Sequence, residues 1–245
     1  MNVPFTSPGS EADSDNGDDN NQGRIRIPPD IFYQQRNALQ EAKEKIDPVY
    51  KEWDVIKPSL HDYEFVYTSS NGRKNIANKV PVSRSYFKMM EMLQAHGIPV
   101  SGGKAVCLAE APGGFLQCLL EKGLKDLHGI TLISPDRRVP YWNRSLIHAG
   151  IQYHTGLAKD GDLYNFKNIL RFVKDIGKGT ADIVTGDGGF DNSSDYNHQE
   201  TNSFKLIYSE VYLALLLQKQ GGTFICKLFD TFDGRTVALL DILRS

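Results

Sequence analysis

The chain has 245 residues, of which 40% are hydrophobic and 24% charged, with a formal net charge of -2. That length allows one sizeable α/β domain plus an extension, and no apolar run reaches the roughly 18 residues a membrane span needs. Three cysteines without CxxC spacing (Cys107, Cys118 and Cys226) argue against a disulfide framework and a thiolate zinc site, and Met1–Ser10 lacks the basic start and apolar centre of a secretion signal; an intracellular, soluble protein is expected.

Residues 1–23 contain Glu11, Asp13, Asp15, Asp18 and Asp19 but no Lys or Arg, so the remainder carries a net +3. With little to bury, this acidic stretch is expected to be disordered, and the rest can hold a local basic groove. Residues 24–81 read as a helical extension and linker. Asp30 is placed to cap a helix over 31–46, Asp47-Pro48 interrupts it, and a second piece runs from Val49 towards Ile56. The polar stretch 61–81 contains a turn at Ser69-Ser70-Asn71-Gly72 and positive charge at Arg73, Lys74 and Lys79.

From Val82 the pattern becomes regular. Ser83 is expected to cap a helix to about Ala95, with Phe87, Met90 and Leu93 facing a core. Strands are expected at 105–109, 128–133, 151–154, 182–185 and 223–228. Helices are expected at 115–122, 166–176 and 203–220, with Gly123 closing the first. Strands alternating with helices imply a mainly parallel sheet covered on both faces, a Rossmann-like α/β fold. The pattern breaks off inside a further helix at Ser245, so a C-terminal part of the domain 82–245 is expected to be missing.

Four places carry chemistry. Glu110-Ala111-Pro112-Gly113-Gly114-Phe115 follows the first strand, where doubly wound folds bind ligands. Its glycines allow close approach, the helix start offers N–H groups to an anion, and Glu110 suits a ligand ammonium; a ligand-free tight turn is the alternative. The motif is not GxGxxG, and no acidic residue stands plainly at the second strand's tip, which disfavours a nicotinamide dinucleotide. Asp187-Gly188-Gly189-Phe190 ends another strand. Lys227 comes late in a strand so apolar that it is expected to be central and buried on both faces, where an ammonium needs a compensating carboxylate. Asp187 and Lys227 would lie at the same end of neighbouring strands and could pair. Lys88 stands on the helix entering the sheet and would ordinarily be a solvated residue.

The segments SRSYFK (83–88), EAPGGF (110–115), DGDLYNF (160–166), GDGGFD (186–191) and GGTFICKLFDTF (221–232), in this order, resemble the FtsJ/RrmJ-type ribose 2′-O-methyltransferases, and within them the cap-specific mRNA enzymes. The resemblance covers about Val82 to Leu243. It implies S-adenosylmethionine as cofactor, bound by Glu110, Pro112, Gly113, Gly114, Phe115, Asp162 (near the adenine) and Asp187. It implies RNA as substrate, most simply capped mRNA, with no metal. The family's Lys-Asp-Lys-Glu tetrad maps onto Lys88, Asp187 and Lys227; its glutamate has no counterpart before the chain stops. Lys227 is then the general base, Lys88 the second cation that eases its deprotonation, and Asp187 the residue that orients it. Arg84, Arg73, Lys74 and Lys79 suit RNA phosphates, and Arg137, Arg138, Tyr141 and Trp142 form a basic-aromatic cluster able to stack a base. A ribosomal RNA substrate and a catalytically incomplete binding scaffold are the alternatives.

Overall fold

The computed structural model describes residues 32–56, 77–100, 102–189 and 198–244. The acidic stretch 1–23, the Asp30 cap, Arg73, Lys74 and Phe190 lie outside them. Helix α1 (Tyr33–Glu44) leads through a 3₁₀ turn (Asp47–Val49) into α2 (Tyr50–Ile56), so Asp47-Pro48 interrupts the helical run where expected. Helix α1 buries none of its residues and meets the domain through an ion pair between Lys43 and Asp230 at 3.7 Å.

The domain alternates α3 (Ser85–Ala95), β1 (Lys104–Leu108), α4 (Gly114–Glu121), β2 (Asp126–Ile130), α5 (Arg144–Ile147), β3 (Gln152–His154), α6 (Phe166–Ile176), β4 (Ala181–Gly186), α7 (Gln199–Leu217), β5 (Gln218–Cys226) and α8 (Gly234–Arg244). The strands form one parallel sheet in the order β3-β2-β1-β4-β5. Strand β1 is central and wholly apolar beyond its first residue. One face packs on Phe87, Met89, Leu116 and Leu119 of α3 and α4, the other on Phe172, Val173, Leu213 and Leu217 of α6 and α7. Helix α6 shows why its bounds were legible. Buried Asn168, Ile169, Phe172, Val173 and Ile176 recur at helical spacing, the Asn165 side chain accepts from the Lys167 N–H, and Gly177 ends it.

Three local expectations are corrected. Ser83 does not cap α3: Arg84 holds that position without a side-chain cap, and the Ser83 hydroxyl pairs with that of Ser85. The last strand, expected to be central and buried on both faces, is outermost among the described residues and only half-buried along Thr223–Cys226, with α7 and α8 covering one of its faces. Helix α7 ends at Leu217, and Gly221-Gly222 forms an irregularity inside β5 instead of a turn before it: Ala181 pairs with Gln218 but Ile183 already with Thr223.

The outer strands carry a buried polar chain. Asp126 Oδ1 lies 2.8 Å from His128 Nε2, and His128 Nδ1 lies 3.0 Å from His154 Nε2. Burial lowers the pKa of both rings, that of His154 to about 4, with His128 adding to the effect. Unfolded histidine titrates near 6.5, so the unfolded chain takes up protons that the fold refuses. Stability therefore falls as pH drops from about 6.5 towards 4. Urea unfolding midpoints at pH 7 and pH 5 should show this loss, and His154→Gln should flatten it; an unchanged slope in that variant would contradict the assignment.

Candidate active site

Every strand delivers a site residue at its carboxyl end: Glu110 after β1, the 131–136 segment after β2, Asp162 beyond β3, Asp187 after β4 and Lys227 after β5. This is the edge where open parallel sheets bind ligands.

The EAPGGF turn is built from within. Glu110 is almost fully buried, and its carboxylate accepts from the Phe115 N–H at 2.7 Å and from the Leu116 N–H at 3.5 Å, with the Gly114 N–H also turned towards it. The start of α4 is thus satisfied by the chain's own carboxylate, so the expected anion site at that helix end is corrected. Burial, with the Asp187 charge adding, raises the Glu110 pKa to about 8 despite those hydrogen bonds. Gly113 has φ +112, and a side chain there would strike Leu146. Gly114 lies directly against the Ser83 and Ser85 hydroxyls and the Tyr86 N–H, which brings the start of α3 to this rim. The Phe115 side chain is buried in the core cluster with Leu116 and Leu119, and its N–H is the one that donates to Glu110. Pro112 is half-buried and its carbonyl accepts from the Asn143 N–H.

Asp187 and Lys227 meet as the sequence suggested. Lys227 Nζ lies 2.8 Å from Asp187 Oδ1 and donates to the Asp187 carbonyl at 2.8 Å. The side chains are 17% and 33% exposed, and the ammonium stands 5.0 Å from the Phe229 ring centre. Two of the three ammonium directions are therefore turned to Asp187. The Lys227 N–H itself is bonded to the Gly186 carbonyl, which continues the β4–β5 ladder up to the site. Lys88 is exposed in the first turn of α3, on the helix whose start abuts Gly114.

Asp162 sits in a loop bound to the sheet rim. Its Oδ1 accepts from the Tyr164 N–H at 2.8 Å, its own N–H donates to Asp160 Oδ1, and its carbonyl accepts from Asn168 Nδ2 at 3.0 Å. Asn168 is fully buried and also donates to Asp160 at 2.6 Å. The Asp160 carbonyl accepts from the Ile133 N–H, which stitches the loop to the exit of β2.

The proposed RNA residues divide. Arg84 and Arg137 are exposed, Tyr141 is 56% exposed, and Arg138 is exposed while paired with Asp136 at 2.6 Å. Trp142 is corrected: at 5% exposure it lies 4.6 Å from the Tyr153 ring and packs with the α4 core, because so large an apolar ring fills the hollow beside β2. Lys79 is also corrected, since its ammonium pairs with Glu121 and covers the Tyr86 ring. Of the buried polar side chains that escaped the sequence reading, two adjoin the candidate site. Asn168 is one; the other is Glu210, a lone carboxylate on the apolar α7 face between Ile207 and Val211. Its position on that stripe was the available signal.

The fold is a Rossmann-like α/β domain whose candidate residues gather at the carboxyl edge of its parallel sheet. The chain belongs to the FtsJ-like methyltransferase family, whose pattern matches residues 81–244. It is similar to "Cap-specific mRNA (nucleoside-2'-O-)-methyltransferase 1" of Trypanosoma cruzi, at 30% identity over 84% of this chain and 59% of that protein. It is also similar to the protein of the same name from Caenorhabditis elegans, at 26% identity over 87% of this chain and 22% of that one. A third relative, "Inactive cap-specific mRNA (nucleoside-2'-O-)-methyltransferase 1B" of Caenorhabditis briggsae, is 24% identical over 87% of this chain and 24% of that protein. The chain thus spans well under two thirds of these relatives. Membership of the family implies a methyl donor, and no helix among the described residues is long and apolar enough to cross a membrane.

Proposed function

We propose that this chain transfers a methyl group from S-adenosylmethionine to a ribose 2′-hydroxyl of RNA, most specifically the first nucleotide of capped mRNA. The observation that carries the proposal is the Lys227–Asp187 pair at the carboxyl edge of β4 and β5, beside the EAPGGF turn. The residues also fit the donor. Glu110 already fills the start of α4, so that helix end offers little to a pyrophosphate, and Asp162 stands at the rim as a carboxylate for the donor's polar groups.

S-adenosylmethionine supplies a methyl group on a positively charged sulfur. The chain's contribution is alignment and a proton acceptor. Asp187 holds the Lys227 side chain in place, and the amine form of Lys227 would take the proton of the ribose hydroxyl as that oxygen accepts the methyl the donor supplies. Lys88, from the α3 rim, adds a second cation for the developing alkoxide. Gly113, Gly114 and Pro112 bound the donor on the β1 side and Asp162 bounds its adenine end. Arg84, Arg137, Arg138 and Tyr141 offer phosphate contacts and one stacking face to RNA.

The test is transfer of labelled methyl to three RNAs: capped, uncapped, and capped with a 2′-deoxy first nucleotide. Transfer is expected to the first alone. Equal labelling of capped and uncapped RNA would replace the substrate with another RNA, such as ribosomal RNA. The existence of a relative named inactive keeps a second reading in view, a binding scaffold. Its signature is calorimetric binding of S-adenosylmethionine without transfer to any RNA.

A further inference from the structure

The Gly186–Gly189 turn that presents Asp187 rests on a third carboxyl group. Glu210, on α7, is fully buried, and its Oε1 accepts from the Gly188 N–H at 3.0 Å. The turn is fitted closely to it. A Cβ added at Gly186 would come within 2.7 Å of Glu210 Oε2, and one at Gly188 would strike Oε1 and Leu206. Two glycines flanking Asp187 are therefore shaped around one side chain, whose second oxygen, Oε2, is buried without a hydrogen-bond partner among the described residues. An isolated carboxyl on an apolar helix face costs free energy, and the packing of α7 offers no return for it.

We propose that Glu210 is a positioning residue for methyl transfer: by accepting the Gly188 N–H it fixes the turn and so holds the Asp187 carboxylate on Lys227. What the role requires is an acceptor of the right length, not a negative charge. The contact itself, one accepted N–H, asks only for an acceptor oxygen at that place, and burial pushes the Glu210 carboxyl up, to about 8. This inference rests on the methyl-transfer function proposed above.

Two substitutions separate the acceptor from the charge. Glu210→Gln keeps an oxygen at Oε1 and should hold kcat within about 3-fold, whereas Glu210→Leu fills the space without an acceptor and should lower kcat on the order of 10²-fold, with KM for RNA within about 2-fold, an alignment loss rather than a binding loss. Gly188→Ala breaks the same contact from the turn's side and should lower kcat at least about 10-fold with the same unchanged KM. It decides the matter if the leucine variant fails to fold. A second readout needs no turnover: acylation of Lys227 by acetic anhydride, followed by mass spectrometry, should rise several-fold in Glu210→Leu and Gly188→Ala and stay level in Glu210→Gln. Normal kcat in the leucine or alanine variant, equal losses in Gln and Leu, or unchanged Lys227 labelling throughout would each overturn the proposal. A wild-type chain that transfers no methyl to any RNA overturns the parent reading instead, while the labelling still reports on Glu210.

Discussion

Replacing Lys227 by alanine should abolish detectable methyl transfer, lowering the rate by about 10³-fold or more, while calorimetric binding of S-adenosylmethionine stays within a few-fold of wild type. The reasoning is geometric. Lys227 is held by two contacts with Asp187 at the sheet edge, and general-base catalysis contributes about 10²–10⁴-fold. The proposed donor contacts, the β1 turn and the Asp162 loop, lie on other strands than Lys227. The variant leaves Asp187 half-buried without its cation; at this exposure we expect a stability loss of only about 1 kcal/mol, so the protein should remain folded for the assay. Retained turnover would remove Lys227 from the chemistry and leave the pair a structural ion pair.

A second large effect is expected at Gly161. This residue has φ +65, and a Cβ there would fall on the Thr131 carbonyl oxygen. The obstacle is backbone, so no rotamer can relieve it. Gly161→Ala should therefore combine left-handed strain, about 1–2 kcal/mol, with overpacking of about 1–3 kcal/mol. For a chain of this size that corresponds to a drop in Tm of about 10 °C. Because Gly161 sits between Asp160 and Asp162, both bonded into the loop through Asn168, weaker S-adenosylmethionine binding should accompany the lower Tm. A thermal shift together with calorimetry checks both halves. A normal Tm would show that the loop can lift from β2, and a low Tm with unchanged affinity would place Asp162 away from the donor.

Legibility in the sequence followed the range of the forces involved. Helix α6 lies where it was expected, at Phe166–Ile176, and the forces that fix it, its apolar spacing, the Asn165 cap and the terminal Gly177, all act within a few residues. The first and fourth strands also fell within a residue of their expected bounds, and with them the neighbourhood of Glu110 and Asp187. The second instead ends at Ile130 rather than at residue 133, and the fifth runs over Gln218–Cys226. The environment of β5 was not legible. An apolar run looks the same whether strands flank it on both sides or helices cover it at an edge. Trp142 failed similarly: beside Arg137, Arg138 and Tyr141 it reads as surface, and only the hollow beside Tyr153 reveals it as core.

By itself, then, the sequence determined the alternation of strands and helices, the parallel sheet that follows from it, and the family, through five motifs in order. Those rest on local periodicity, turn residues and residue identity. Only the tertiary structure decided how far each carboxylate is buried and what Glu110 and Glu210 bond. Glu110 turned out to be bonded to the start of α4 and Glu210 to lie under the turn that presents Asp187. Burial is set by the elements packed around a carboxylate, and α7 and the β4 turn, which Glu210 joins, meet only when the sheet and its helices close.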